Sequence, residues 1–257
     1  MTLPSSGASA GRVLVLGLPL DAMSLQEAAD RIVALSRTGA GGFVCVRDVH
    51  GVIRCQDDPE LLEIHRRAVL VTTDGMPLVR AVRRAGHPEA TRVYGPDLML
   101  EVCGRDVHSL RHFLYGSTPD VLTDLKCALE GRFSGIRIVG SHSPPFRPLS
   151  GGEIEMERAL IREADPDVIW VGLSTPKQER WMAANVDHLG GAVLVGVGAA
   201  FDFLSGRKSQ APRWMQQSGL EWLFRLLSEP RRLGPRYLAV IPRFLWLYAK
   251  ERLGRSR

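Results

Sequence analysis

Short apolar, β-branched runs recur along this chain, separated by longer segments in which apolar residues return every three or four positions. The short runs are VLVLG (13–17), GFVCV (42–46), AVLVTT (68–73), HFLYG (112–116), IRIVG (136–140), VIWVGL (168–173) and AVLVGVG (192–198). Each predicts a strand. The helical period marks 24–37, 58–68, 75–86, 119–133, 153–164 and 177–190. Strands that alternate with helices are joined by crossovers, so they lie parallel and are covered on both faces. The predicted fold is α/β and Rossmann-like, a mostly parallel sheet between helical layers.

Local signals mark the helix starts. Ser24 and Glu27 make an S-x-x-E capping box, Thr118 precedes Pro119 as N-cap and first-turn proline, and Asp57 or Asp58 stands before Pro59 in the same way. The segment SHSPPFRPLSGGE (141–153) reads as a loop, expected to wall or cover a site. After Ser209 the alternation stops. The remaining residues predict two or three short helices broken at Pro230, Pro235 and Pro242. The expected organisation is a catalytic α/β domain over 1–209 and an amphipathic helical appendage over 210–257.

Composition narrows the class. With 45% hydrophobic and 24% charged residues, neither a disordered chain nor a bundle of membrane spans is indicated. No apolar stretch approaches the ~18 residues that cross a bilayer. The N-terminal MTLPSSGASAGRVLVLGLPL has an apolar patch without a basic leader, so no secretory signal is expected. Cys45, Cys55, Cys103 and Cys127 lack CxxC spacing, which argues for reduced thiols in a cytoplasmic setting. A net charge of +5 suits nucleic acid, anionic lipid or a phosphorylated substrate. The excess lies mainly in the tail, where bases from Arg225 to Arg257 face only Glu229 and Glu251 and interleave with Trp222, Phe224, Tyr237, Phe244, Trp246 and Tyr248. Such a segment reads as interfacial, apolar residues entering the headgroup boundary while bases meet anionic lipid, or as a surface helix packed on its own domain or a neighbouring subunit.

In an open parallel sheet, ligands bind beyond the carboxyl ends of the strands. The polar residues placed there are Arg47 and Asp48, Thr72, Thr73 and Asp74, Gly116 to Thr118, Ser174 to Glu179, and Asp202. Asp74 would stand at the mouth of the crevice, able to accept a proton from a hydroxyl nucleophile; the same place suits an N-cap for the helix from Met76. GSTPD sets Gly116, Ser117 and the first N–H groups of a helix where a phosphate would fit, or it is a plain strand–turn–helix connection. STPKQE repeats the arrangement, with Lys177 as counter-charge and Gln178 as donor and acceptor for a base or sugar, or with Lys177 and Glu179 solvated on a proline-initiated helix. Asp202, between Phe201 and Phe203, needs a partner, either a ligand or Arg207 or Lys208. Tyr94 and Asp97 in RVYGPDLM face the crevice or form a turn before a helix.

Other chemistries find little support. GLPLDAMS offers one glycine where a dinucleotide fingerprint wants three, against a nucleotide-dependent oxidoreductase. The histidines show neither HExxH nor paired metal spacing, and Asp48 with His50 reads as a polar turn.

In order, DVHGVIRCQDDPELLEIHRRAVLVTTDGMPLV, RVYGPDLM, LYGSTPDV, IWVGLSTPKQERWM and GVGAAFDFLSGRKSQAPRWMQQSGLEWLFRLLSEPRRL resemble the WecG/TagA/CpsF family of bacterial glycosyltransferases, over about Gly17 to Arg243. The resemblance implies inverting transfer from a UDP-sugar, of the glucose, N-acetylmannosamine or N-acetylmannosaminuronate type, to a polyprenyl-diphosphate-linked acceptor. It places this step at the inner face of the cytoplasmic membrane, in surface polysaccharide synthesis, with no metal or other cofactor. It implies Asp74 as general base, Gln178 and Asp202 near the nucleotide sugar, and Arg225 and Arg232 on an appendage that closes over the site and steadies the leaving diphosphate. Asp48, Thr73, Tyr94, Asp97, Gly116, Ser117, Lys177 and Arg236 complete the expected contacts. A homo-oligomer is left open, and no nucleic acid is expected.

Two departures from the family pattern stand out. Members commonly show T-x-N where this chain has Val46-Arg47-Asp48, so a threonine contact is lost and a negative charge comes near the donor or selects a different sugar. Members often carry paired arginines where this chain has Pro235-Arg236. No DxD motif stands out. The altered Val46-Arg47-Asp48 also leaves room for a non-catalytic module that holds nucleotide sugar or lipid for a partner enzyme.

Overall fold

The computed structural model describes residues 11–105 and 107–255; the first ten residues and Arg257, which enter the sequence-based expectations, lie outside them. The elements are β1 (Arg12–Val15), β2 (Leu18–Asp21), α1 (Leu25–Thr38), β3 (Gly42–Arg47), α2 (Val49–Asp57), α3 (Pro59–Arg67), β4 (Leu70–Thr73), α4 (Met76–Arg84), α5 (Gly95–Gly104), β5 (Arg111–Gly116), α6 (Pro119–Arg132), β6 (Arg137–His142), α7 (Gly151–Ala164), β7 (Val168–Gly172), α8 (Lys177–Asn185), β8 (Val193–Gly196), α9 (Ala200–Leu204), α10 (Arg213–Ser218), α11 (Glu221–Ser228) and α12 (Pro230–Arg255). Strands β3 to β8 form a parallel sheet in the order β4-β3-β8-β7-β5-β6. The architecture is α/β and Rossmann-like.

Side chains alternate across each strand. Phe43, Ile169 and Leu194 therefore enter one core layer, with α2, α3, α4 and α8, while Val44, Trp170 and Val195 enter the other, with α1, α5, α6 and α9. Trp170 is fully buried and donates from Nε1 to His112 Nδ1 at 3.2 Å. Truncating it to alanine would cost about 3–5 kcal/mol. The helix starts obey the local signals: Ser24 and Glu27 form the capping box, Thr118 caps α6, and Asp58 caps α3. Asp57 instead pairs with Arg243 of α12 at 2.5 Å.

Two expectations are corrected. VLVLG does not enter the sheet, because Leu16 and Gly17 both take positive φ and turn the chain into an antiparallel hairpin of β1 and β2. That hairpin covers the open edge at β4: Asp21 accepts from Val71 N at 2.7 Å, and Arg12 donates to Ala68 O at 3.0 Å. The tail is not broken at Pro235 and Pro242, which both lie inside the 26-residue α12. Each proline removes one rung of the helical ladder. Packing carries the helix through, with Leu233 and Phe244 buried, Phe244 in the α2 core layer, and Glu251 accepting from Leu16 N at 3.1 Å. No helix among the described residues is long and apolar enough to cross a membrane.

Candidate functional site

The carboxyl ends of the strands open onto a cleft of about 760 Å³, walled on one side by residues 144–149 and on another by Arg225, Arg232 and Arg236. The expected loop is shorter than 141–153, since β6 reaches His142 and α7 begins at Gly151, but it does form a wall.

At the β4 end, the Asp74 backbone N–H donates to Arg47 O at 2.8 Å, which ties the turn to β3. Asp74 does not cap α4: the N-cap is Gly75, with no side-chain bond. Its carboxylate accepts from Arg92 instead, Nη2 to Oδ1 at 2.8 Å and Nε to Oδ1 at 3.1 Å, while Nε also reaches the Asp74 carbonyl at 2.6 Å. The same Nη2 lies 2.6 Å from Glu221 Oε2 on α11. The guanidinium sits 4.0 Å above the Tyr94 ring, which fixes its plane. Burial pushes the Asp74 carboxyl up to about 6; Arg92 opposes the rise, and Glu221 and Asp48 add to it. A carboxylate in that range takes up and releases a proton near neutral pH. Burial works against the Arg92 charge, but Asp74 and Glu221 outweigh it and hold Arg92 above its ordinary value.

Under β3 and β7 lies a buried network. Arg47 turns inward, 2.5 Å from Glu179 Oε1, and donates to Thr175 Oγ1 at 3.0 Å. Glu179 is fully buried rather than solvated, and Arg47 is its ion-pair partner. Gln178 lines the cleft, but its nitrogen donates to Glu179 at 2.9 Å and its oxygen accepts from Gly198 N at 3.1 Å. It holds the floor in place and keeps one further N–H for a ligand. Asp48 also lines the cleft and spends one oxygen capping α2 through Gly51 N at 2.8 Å.

The β5 and β7 ends are built differently. A Cβ on Gly116, at φ 118°, would stand 2.8 Å from the Gly172 carbonyl, so only glycine lets the two strand ends approach. Beyond them Ser117 and Ser174 adopt φ 57° and 66°, a left-handed conformation that L-residues hold only where the surroundings enforce it. Ser143 Oγ donates to Ser117 O at 2.7 Å and anchors the wall loop. Tyr115 stacks on Trp181 with ring centroids 4.0 Å apart, and both line the cleft with Ser117 and Lys177.

Asp202 has the plainer partner: Lys208 Nζ lies at 3.0 Å, 3.7 Å from Glu229, which in turn pairs with Arg232. Arg225 lies 5.8 Å over the Phe203 ring and stays charged, because Tyr237, Glu221 and Tyr94 outweigh the effect of its burial. The cleft thus gathers Asp48, Asp74, Tyr94, Ser117, Lys177, Gln178, Asp202, Arg225, Arg232 and Arg236. Thr73, Asp97 and Gly116 are outside its lining: Thr73 is buried and donates to Thr91 O at 3.4 Å, and Asp97 sits in the first turn of α5. Burial raises the Asp97 carboxyl, against Arg213 and Arg92.

Reasoning from strand ends misses Arg92 and Glu221. Arg92 precedes Tyr94 in RVYGPDLM, so that motif held the signal for it; Glu221 sits in a segment otherwise marked by its bases. Among the described residues, no cluster of three or more His, Cys, Asp or Glu side chains is placed to hold a metal ion. A family model described as "Glycosyl transferase WecG/TagA/CpsF family" matches residues 13–257.

Proposed function

The chain belongs to the WecG/TagA/CpsF glycosyltransferase family of polysaccharide biosynthesis, and from this premise we propose an inverting transfer from a UDP-sugar to a polyprenyl-diphosphate-linked acceptor, with Asp74 as general base. The acceptor hydroxyl gives its proton to the Asp74 carboxylate as its oxygen bonds to the anomeric carbon. The bond from that carbon to the β-phosphate oxygen breaks, and UDP leaves with the electron pair. Arg225, Arg232 and Arg236 face the cleft and would take up the charge of the departing diphosphate. The proposal gives that charge to arginines and assigns no metal cofactor.

One observation carries the reading. Asp74 is not spent on capping α4, is raised in proton affinity, and shares a cleft with three arginines of the tail. The tail also supports a peripheral site on the cytoplasmic face of the membrane: Leu238, Trp246 and Leu253 of α12 are exposed beside its Arg and Lys residues, as suits an interface with anionic lipid.

The test is turnover of a panel of UDP-sugars with a polyprenyl-diphosphate-linked acceptor, with and without chelator, and then NMR of the product's anomeric configuration. Chelator-insensitive transfer with inverted configuration is expected. A retained configuration would remove Asp74 from its role, and absence of turnover across the panel would favour a binding module.

A further inference from the structure

The tail brings to the cleft three arginines that suit a diphosphate and, outside the cleft lining, sets a carboxylate against Arg92. That carboxylate, Glu221, is nearly buried and opens α11. The turn that delivers it rests on the helix after the proposed base: Gly219 takes φ 83° with its Cβ position 3.2 Å from the Met76 side chain, and Arg80 donates to Ser218 O at 3.4 Å. A side chain on residue 219 would crowd Met76 and be strained at this positive φ. Glu221 then meets Arg92 Nη2 at 2.6 Å, the same nitrogen that lies 2.8 Å from Asp74 Oδ1. Two carboxylates thus pair with one guanidinium nitrogen.

We propose that Glu221 is a positioning residue for the base: by sharing Arg92 when the turn between α10 and α11 docks on α4, it loosens the hold of Arg92 on Asp74 and readies Asp74 to take a proton. The proposal rests on the reading of Asp74 as base. The charged groups facing Asp74 are Arg92 from the segment before α5, Glu221 from α11 and Asp48 at the start of α2. Of these, burial apart, Glu221 and Asp48 favour the protonated form and Arg92 the charged one. Only Glu221 arrives with the tail. Docking of the tail and arming of the base therefore become one event, which would limit loss of the donor to water before the tail has closed.

The experiment is kcat against pH for the full chain, Glu221→Gln and Glu221→Asp, with folding checked by thermal melts. Without the Glu221 charge, Arg92 holds Asp74 alone, so the acid limb should move to lower pH by about half a unit or more. The plateau should fall about two- to threefold, because a weaker base assists less, with KM for the donor little changed. Glu221→Asp keeps the charge one methylene farther back and should give an intermediate shift; it serves alone if Glu221→Gln does not fold. An acid limb that stays in place while kcat falls would reduce Glu221 to a tether and overturn the proposal. Asp74→Asn run in parallel separates the failures: wild-type turnover there removes the base itself, whereas its loss with an unmoved limb in the Glu221 variants removes only the role of Glu221.

Discussion

At the β4 end of the cleft the working groups are ionised side chains held by one another, whereas at the β5 and β7 ends they are backbone turns held by close packing. Asp74, Arg92 and Glu221 come from three separate parts of the chain and meet through charge. Gly116, Ser117 and Ser174 are set by strand ends that approach more closely than any side chain would allow. The first construction yields a group whose proton affinity depends on its neighbours. The second yields a fixed shape. Changes at the β4 end should therefore alter rate and its pH dependence, and changes at the other end should alter fold and fit.

The sharpest break of that contrast is Gly116→Ala. The new Cβ meets the Gly172 carbonyl at 2.8 Å, and alanine is strained at φ 118°, so a loss of about 2–3 kcal/mol is expected in denaturant unfolding. The folded fraction should show a raised KM for the donor and an unshifted pH profile. A shifted profile would mean that the two ends are not independent.

A smaller effect of opposite sign is expected for Asp74→Asn. The Asp74 carboxyl is raised in the folded state, to about 6, from roughly 4 in the unfolded chain. Its contribution to stability is therefore complete below the unfolded value and is lost as pH rises through the folded one. At pH 7.5 the charged carboxylate is a cost, and Asn, which carries no charge, should raise stability by about 1 kcal/mol. The gain should vanish below pH ~4. Thermal melts across that range check it; a variant less stable than wild type at pH 7.5 would show that the ion pair with Arg92 outweighs the burial.

The same contrast explains how far the site can be read from sequence. The β5 and β7 ends are legible because GSTPD and STPKQE are local, and α6 begins at the Thr118 cap that its pattern announces. For Asp74 the sequence allows either cap or base, and the structure removes the cap by giving that place to Gly75. Arg92 is signalled only as a neighbour of Tyr94 in RVYGPDLM, and Glu221 is not legible, since its meeting with Arg92 depends on the tail folding back over α4. The hairpin at Leu16 is hidden for a different reason: leucine gives no warning of a left-handed turn. Pro235 and Pro242 mislead because local propensity does not count the packing of Leu233 and Phe244 that sustains α12.

The most direct measurement is single-turnover transfer by Asp74→Asn, with UDP-sugar affinity determined on the same preparation. A transfer rate about 10²–10⁴-fold lower is expected, with donor binding close to wild type. Transfer near the wild-type rate in that folded, donor-binding variant would contradict Asp74 as the base.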